Sequence, residues 1–82
     1  MKFELGNEGV EVKLGPWTLR RIRYDDIEDV REGYVWGLSE HWTNLWRWGF
    51  VTIRRKTGLI KNFLINPRDR ETFISQLRGK IH

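Results

Sequence analysis

The side chains that could carry chemistry are few in this sequence of 82 residues. Asp25 and Asp26 adjoin, but the side chains of sequence neighbours diverge, so they do not make the facing pair of carboxylates used in acid–base catalysis. His41 and His82 are too scattered to predict a metal site. Cysteine is absent, which excludes thiolate nucleophiles, and no glycine-rich phosphate motif occurs. We therefore predict no enzyme, no metal and no cofactor, and no small-molecule substrate is evident.

Basic residues form two groups in the sequence. They can be interpreted either as solvated surface charge or as a site for an anionic partner. Lys and Arg outnumber Asp and Glu by 15 to 11, a mild excess that suits ordinary solubility as well as anionic partners. The three arginines between positions 20 and 23 form the first group. The second group surrounds a predicted turn and is the candidate anion-binding site: Arg54, Arg55, Lys56 and Lys61. This site would serve an anionic membrane surface, whereas nucleic acid is disfavoured because no nucleic-acid-binding signature is present.

The cellular location of the chain is predicted from the lack of a signal peptide and of cysteine. The first residues carry charges and no apolar run, unlike a signal peptide. A chain without cysteine lacks the disulfides that stabilise small secreted domains, which favours a reducing, cytoplasmic setting, with the membrane periphery as the alternative. A chain of this length is expected to form one domain over residues 1–82.

The first part of the chain alternates between apolar and polar residues, which predicts strands. Two short strands flank a turn at residues 6–9, and Gly15-Pro16 ends the second of them. A third strand follows from Trp17 to Arg23. A short helical turn capped by Asp25 comes next, and the chain then extends again from Ile27 to Tyr34.

The last part of the chain predicts a β-hairpin followed by an amphipathic helix. The arms run over residues 46–55 and 59–65, rich in β-branched and aromatic residues, with a turn at 56–58. Apolar residues occur on both faces of the first arm, which predicts a sheet covered on both sides over part of its length. Asn66 is the predicted N-cap and Gly79 the predicted stop of the helix. Its apolar stripe consists of Phe73, Ile74, Leu77 and Ile81.

Large rings are concentrated in an irregular segment, where periodicity does not assign them to a face. Tyr34-Val35-Trp36 is expected to extend a strand, and residues 37–44 to form a long hairpin loop. Rings in or beside a loop either fold back on the core or form an exposed adhesive surface. On the second interpretation, the candidate partner-binding residues are Trp36, Trp42, Trp46 and Trp48.

Two stretches resemble the pleckstrin-homology-like (PH-like) domains of bacteria and archaea. They are Ile22-x-Tyr24-x-Asp26-Ile27-x-x-Val30 and the later Asn66-Pro67-x-Asp69-x-x-x-Phe73-Ile74-x-x-Leu77. The resemblance runs from Phe3 to Ile81. It implies a mainly β, α+β fold: a strongly bent antiparallel sheet of five to seven strands, as a partial or complete barrel, closed by one C-terminal amphipathic helix.

The resemblance also bears on function. Prokaryotic members of the family are similar in being non-catalytic and often self-associating. Eukaryotic relatives hold phosphoinositides with cations in the first hairpin loop, but residues 6–9 contain no cation, so this ligand is not carried over. We therefore predict a non-catalytic interaction module that forms a homo-oligomer or docks a protein partner through an exposed sheet edge and the aromatic segment, which runs from Trp36 to Trp48.

Overall fold

The structure is a computed structural model, and it describes residues 1–33, 37–44 and 49–81. In these ranges, seven strands are followed by one helix. In chain order they are β1 (Lys2–Leu5), β2 (Gly9–Leu14), β3 (Trp17–Arg23), β4 (Ile27–Glu32), β5 (Ser39–Trp42), β6 (Val51–Arg55), β7 (Asn62–Ile65) and α1 (Arg70–Ile81).

The first three strands form an antiparallel sheet in the order β1-β2-β3. Its two hairpins confirm the opening hairpin and the third strand predicted from alternation. Gly15 takes a φ of 58° in the turn between β2 and β3, a conformation that glycine adopts without a steric penalty. Gly9 has another role, because a Cβ there would lie 2.0 Å from the carbonyl oxygen of Ile22 on β3. The close approach of these two strands therefore requires glycine.

A 3₁₀ turn, Tyr24–Asp26, connects this sheet to β4. The predicted helical turn is therefore present, but the predicted cap is wrong. Asp25 lies inside the turn, Arg23 precedes it, and no side chain makes a capping hydrogen bond. The carboxylate of Asp25 is instead paired with Arg23, Oδ2 to Nη2 at 3.0 Å.

The remaining strands form a second sheet in the order β4-β6-β7-β5. The pairs β4–β6 and β6–β7 are antiparallel, but β5 runs parallel to β7, with Ser39 opposite Asn62 and Trp42 opposite Ile65. The long hairpin loop predicted at residues 37–44 is therefore wrong, since β5 occupies half of it. The strand predicted at Tyr34-Val35-Trp36 lies outside the described residues.

The hairpin of β6 and β7 confirms the prediction that the terminal sheet is covered on both sides. Val51, Thr52 and Ile53 are consecutive in β6 and all are buried, although neighbouring residues of a strand point to opposite faces. The predicted arms were too long, because the second strand begins at Asn62 and residues 56–61 form the turn. Of the predicted first arm, residues 46–48 lie outside the described part of the chain.

Both sheets and the helix share one apolar core. Val10, Val12 and Ile22 contribute from the first sheet, and α1 contributes Phe73, Ile74 and Leu77. The second sheet contributes Ile27, Val30, Val51, Ile53, Phe63 and Ile65. All these side chains belong to one cluster, so both sheets and α1 pack on the same core.

The apolar stripe of α1 is confirmed, but both predicted ends of the helix are wrong. Asp69 caps the first turn: its carboxylate accepts hydrogen bonds from the backbone N–H and the hydroxyl of Thr72, at 3.2 and 2.8 Å. Asn66, the predicted cap, is fully buried three residues earlier. Its amide bonds the backbone of Asn44, accepting from N at 2.7 Å and donating to O at 2.8 Å. The helix also continues through Gly79 to Ile81.

No helix in the described ranges is both long enough and apolar enough to cross a membrane.

Candidate functional site

Of the four tryptophans predicted to bind a partner, the structure describes Trp42 alone. Trp42 ends β5, is half-buried and packs against the core cluster. Its indole N–H donates to Oε1 of Glu40 at 2.9 Å. Trp36, Trp46 and Trp48 lie outside the described residues. The one tryptophan in the described part of the aromatic segment therefore packs against its own domain.

The four residues predicted to bind anions separate into two groups. Arg55 points inward at the end of β6, with 16% of its side chain exposed, and bonds Asp26. Arg54 lies on the outer face, where it donates to Oδ1 of Asn62 at 3.1 Å and approaches Glu28 at 3.8 Å. Lys56 and Lys61 are exposed in the turn between β6 and β7, and no ion pair to either occurs within the described ranges.

Arg55 belongs to an ion-pair network that we define as Arg20, Glu40, Arg55 and Asp26. Arg20 on β3 donates to both carboxylate oxygens of Glu40 on β5, at 2.9 and 3.3 Å. Glu40 also lies 3.9 Å from Arg55, which donates to Asp26 at 3.2 Å. Two cations and two anions thus join both sheets and the 3₁₀ turn.

The carboxylates of the network are stabilised in their charged form. Burial raises the pKa of Glu40, but the hydrogen bonds from Arg20 and Trp42 outweigh burial and hold that pKa below its ordinary value. Burial likewise raises the pKa of Asp26, and hydrogen bonds from Thr57 and Arg55 more than reverse this effect. Thr57 donates to Asp26 through both its backbone N–H and its hydroxyl. The arrangement therefore fixes the β6–β7 turn to the 3₁₀ turn.

The side chains considered for catalysis are not brought together. Asp25 is exposed and paired with Arg23, which holds the pKa of the Asp25 carboxyl below its ordinary value. Asp26 is directed into the ion-pair network. His41 lies on β5, with its Nε2 2.9 Å from the hydroxyl of Ser39. In the described residues, no group of three or more His, Cys, Asp or Glu side chains could hold a metal ion. His82 is outside the described ranges.

The arginines of β3 are also paired within the chain. Arg21 bonds Glu11 at 3.1 Å, Arg23 bonds Asp25, and Arg20 bonds Glu40. Arg21 and Arg23 line a groove of about 480 Å³ beside the 3₁₀ turn, together with Arg55 and Lys56. Because acids on the same chain compensate its three arginines, this groove is not a cluster of free cations.

A different apolar surface is exposed on the hairpin of β2 and β3. We define the edge patch as Leu14, Trp17 and Leu19, with 50%, 66% and 40% of their surfaces exposed. Leu14 and Trp17 are direct register partners and therefore share a face of the sheet. Sequence reasoning did not select Trp17. Alternation along β3 alone places Trp17 on the face opposite to the buried Ile22, but the register shift between Val12 and Lys13 brings Trp17 to the face that Ile22 shares with Val10 and Val12.

The edges of the two sheets differ in how well they are covered. β3 is an outer strand with seven residues, whereas the other outer strand of its sheet, β1, has four. The edge of β4 in the second sheet is capped: the backbone N–H of Val30 donates to Asp29, and its carbonyl accepts from Arg78 on α1. Such caps prevent pairing with another strand. In the described part of the chain, no strand pairs with the outer edge of β3.

Comparison of the chain with models of known protein families, with curated proteins and with solved structures finds no match. Its function is therefore inferred from its own residues.

Proposed function

We propose that this chain is a non-catalytic interaction module that self-associates by pairing β3 with β3 of a second copy. The observation that carries the proposal is that, among the described residues, no strand pairs with the outer edge of β3, which lies beside the exposed Trp17 and Leu19. An unpaired strand edge offers backbone donors and acceptors to another strand, and natural proteins usually protect such edges. Here the β4 edge is protected, and β3 bears two large apolar side chains instead.

We also propose that the fold is of the PH-like type. The number of strands supports this, since full members of that family have seven and the described residues contain seven before the helix. The packing of Phe73, Ile74 and Leu77 against both sheets supports the role of α1 as the closing helix. The parallel pairing of β5 with β7 is a departure from a wholly antiparallel barrel. The cytoplasmic setting, which the lack of cysteine favours, is part of the same proposal.

The charge on β3 is compatible with pairing to a second copy. Three arginines on one edge strand would repel the same strand of a second copy, but each has a carboxylate partner in its own chain. Pairing would also remove part of the exposed Trp17 ring from water.

Light scattering behind a sizing column, at several protein concentrations and two salt levels, tests the proposal. We expect a dimer whose fraction increases with protein concentration. Trp17→Ala should raise the dissociation constant at least about tenfold, which equals about 1.4 kcal/mol. Leu59→Ala is the matched control, because Leu59 is fully exposed in a different turn and should leave the dimer unchanged.

The same variants need to be compared for folding. Since Trp17 is mostly exposed, Trp17→Ala should change the free energy of unfolding of the monomer by no more than about 0.5 kcal/mol. A chain that stays monomeric at the highest concentration would refute self-association through β3. A dimer that Trp17→Ala does not weaken would place the interface elsewhere, for example in the aromatic segment.

A further inference from the structure

The turn between β6 and β7 presents an exposed leucine between two lysines. Backbone hydrogen bonds hold both sides of the turn: the N–H of Arg55 donates to the carbonyl of Lys61 at 2.7 Å, and that of Lys56 donates to Asp26 at 2.8 Å. Leu59 lies between these anchored points and is fully exposed, at 102%. A leucine held in water at the tip of an anchored turn has no role in the core of its own domain.

A second exposed leucine lies at the same end of the sheet. The parallel register begins with Ser39 opposite Asn62, and Leu38 and Lys61 directly precede these two residues. Leu38 is 72% exposed. Leu38, Lys56, Leu59 and Lys61 together form what we call the turn surface.

The charge of the turn surface is positive at its tip. The acids nearest to it are engaged elsewhere: Asp26 bonds Arg55 and Thr57, and Asp25 pairs with Arg23. On the outer face, Glu28 approaches Arg54 rather than a lysine of the turn. Lys56 lies close enough to Asp25 to help lower the pKa of its carboxyl, but neither Lys56 nor Lys61 forms an ion pair within the described ranges, so both ammonium groups can contact an external anion.

We propose that the turn surface binds the surface of an anionic lipid bilayer. Leu59 and Leu38 enter the boundary between headgroups and acyl chains, while Lys56 and Lys61 contact lipid phosphates and carboxylates. Apolar side chains combined with adjacent cations are the features that hold peripheral proteins on such membranes. This surface is distinct from the edge patch, so the inference goes beyond the proposed self-association.

The observations favour a bilayer over nucleic acid. Proteins that bind single strands combine cations with aromatic rings on which the bases stack. In the turn surface the apolar side chains beside the lysines are leucines, and a base cannot stack on an aliphatic side chain. A bilayer, in contrast, accepts aliphatic side chains without requiring a shaped pocket.

Sedimentation with vesicles tests the inference. The full chain is mixed with vesicles of phosphatidylcholine alone, or of phosphatidylcholine with phosphatidylserine, at low and high salt. We expect binding to the phosphatidylserine vesicles that weakens as salt increases. Leu59→Ser should weaken this binding about tenfold, and Lys56→Gln with Lys61→Gln should weaken it and reduce its salt dependence.

Matched controls separate the turn surface from other exposed residues. Leu14→Ser removes a leucine that is half-exposed on another hairpin and should leave vesicle binding unchanged. Trp17→Ala distinguishes the two proposals. It should weaken the dimer, and so lower the molar mass measured by light scattering, but it should leave vesicle binding unchanged. Circular dichroism on heating confirms that each variant is folded.

Three results would overturn the inference. They are the absence of vesicle binding, equal binding to neutral and anionic vesicles, and undiminished binding by folded Leu59→Ser. A single-stranded oligonucleotide that binds at the lysines and does not depend on Leu59, with no binding to vesicles, would identify a nucleic-acid surface instead.

Discussion

Arg20 and Glu40 join two strands that share no backbone ladder. Arg20 Nε donates to Oε1 of Glu40 at 2.9 Å and Nη2 donates to Oε2 at 3.3 Å, from β3 in one sheet to β5 in the other. Both side chains are about two-thirds or more buried. Since partly buried, two-point ion pairs resist solvent screening better than exposed ones, this contact helps to hold the sheets together.

The first prediction concerns the pH dependence of stability. The pKa values of Glu40 and Asp26 are lower in the folded chain than their ordinary values. The contribution of these groups is therefore fully present above an unfolded-state pKa of about 4 and is lost as the pH falls through the lower folded value. Urea unfolding between about pH 7 and about pH 3 should show stability decreasing in the acid part of this range.

Glu40→Gln separates the network from the other carboxylates in this measurement. At neutral pH the variant should be less stable by about 1–3 kcal/mol, because Arg20 loses a charged partner. Its stability should also decrease less steeply in acid than that of the wild type. Equal slopes for the two proteins would show that Glu40 does not contribute to the pH dependence.

The network explains why part of the site was not predictable from sequence. Arg20 and Arg55 appear in the sequence among runs of basic residues, which predict a cationic surface. Their partners Glu40 and Asp26 lie 20 and 29 residues away, so the pairing becomes visible only when the sheets pack. Local composition therefore identified Arg55 as a binding residue, whereas its contacts are internal.

The strands were predictable where they alternate and not where their pairing is distant. β1, β2 and β3 follow the period of two and pair with their neighbours in sequence. β5 has only four residues, Ser39-Glu40-His41-Trp42, and pairs in parallel with β7, more than 20 residues away. Short polar strands with non-local partners have almost no signature in a single sequence.

The second prediction concerns the close approach of β2 and β3. Gly9→Ala would place its Cβ 2.0 Å from the carbonyl oxygen of Ile22, a backbone atom that cannot rotate away. We expect the free energy of unfolding to fall by about 3 kcal/mol, at the upper end of the usual overpacking effect. Chemical denaturation measures this change.

Gly79→Ala is the matched control for this substitution. Gly79 lies in α1, and a Cβ there meets no atom within 4 Å. Alanine is the better helix former, so this variant should be more stable by about 0.5–1 kcal/mol. A Gly9→Ala protein as stable as the wild type would show that β2 and β3 can separate at this point.

The third prediction compares the two candidates for the helix cap. Asp69→Ala removes the cap of α1 and should reduce stability by about 1 kcal/mol. Asn66→Ala should reduce it by more, about 2–3 kcal/mol, because it leaves partly buried backbone groups of Asn44 without their side-chain partner. If Asp69→Ala were the more harmful change, Asn66 would not have the bridging role that its contacts indicate.

The fourth prediction concerns Trp42, which the sequence analysis assigned to a partner interface. Its ring packs against the core and its indole N–H binds Glu40, so Trp42→Ala should destabilise the isolated chain by about 3 kcal/mol. Trp42→Phe retains most of the apolar contact and loses the hydrogen bond, for an expected change of about 1 kcal/mol. Urea unfolding of both variants measures the two contributions. A folded Trp42→Ala chain within about 1 kcal/mol of the wild type that no longer self-associates would assign Trp42 to the interface and not to the core.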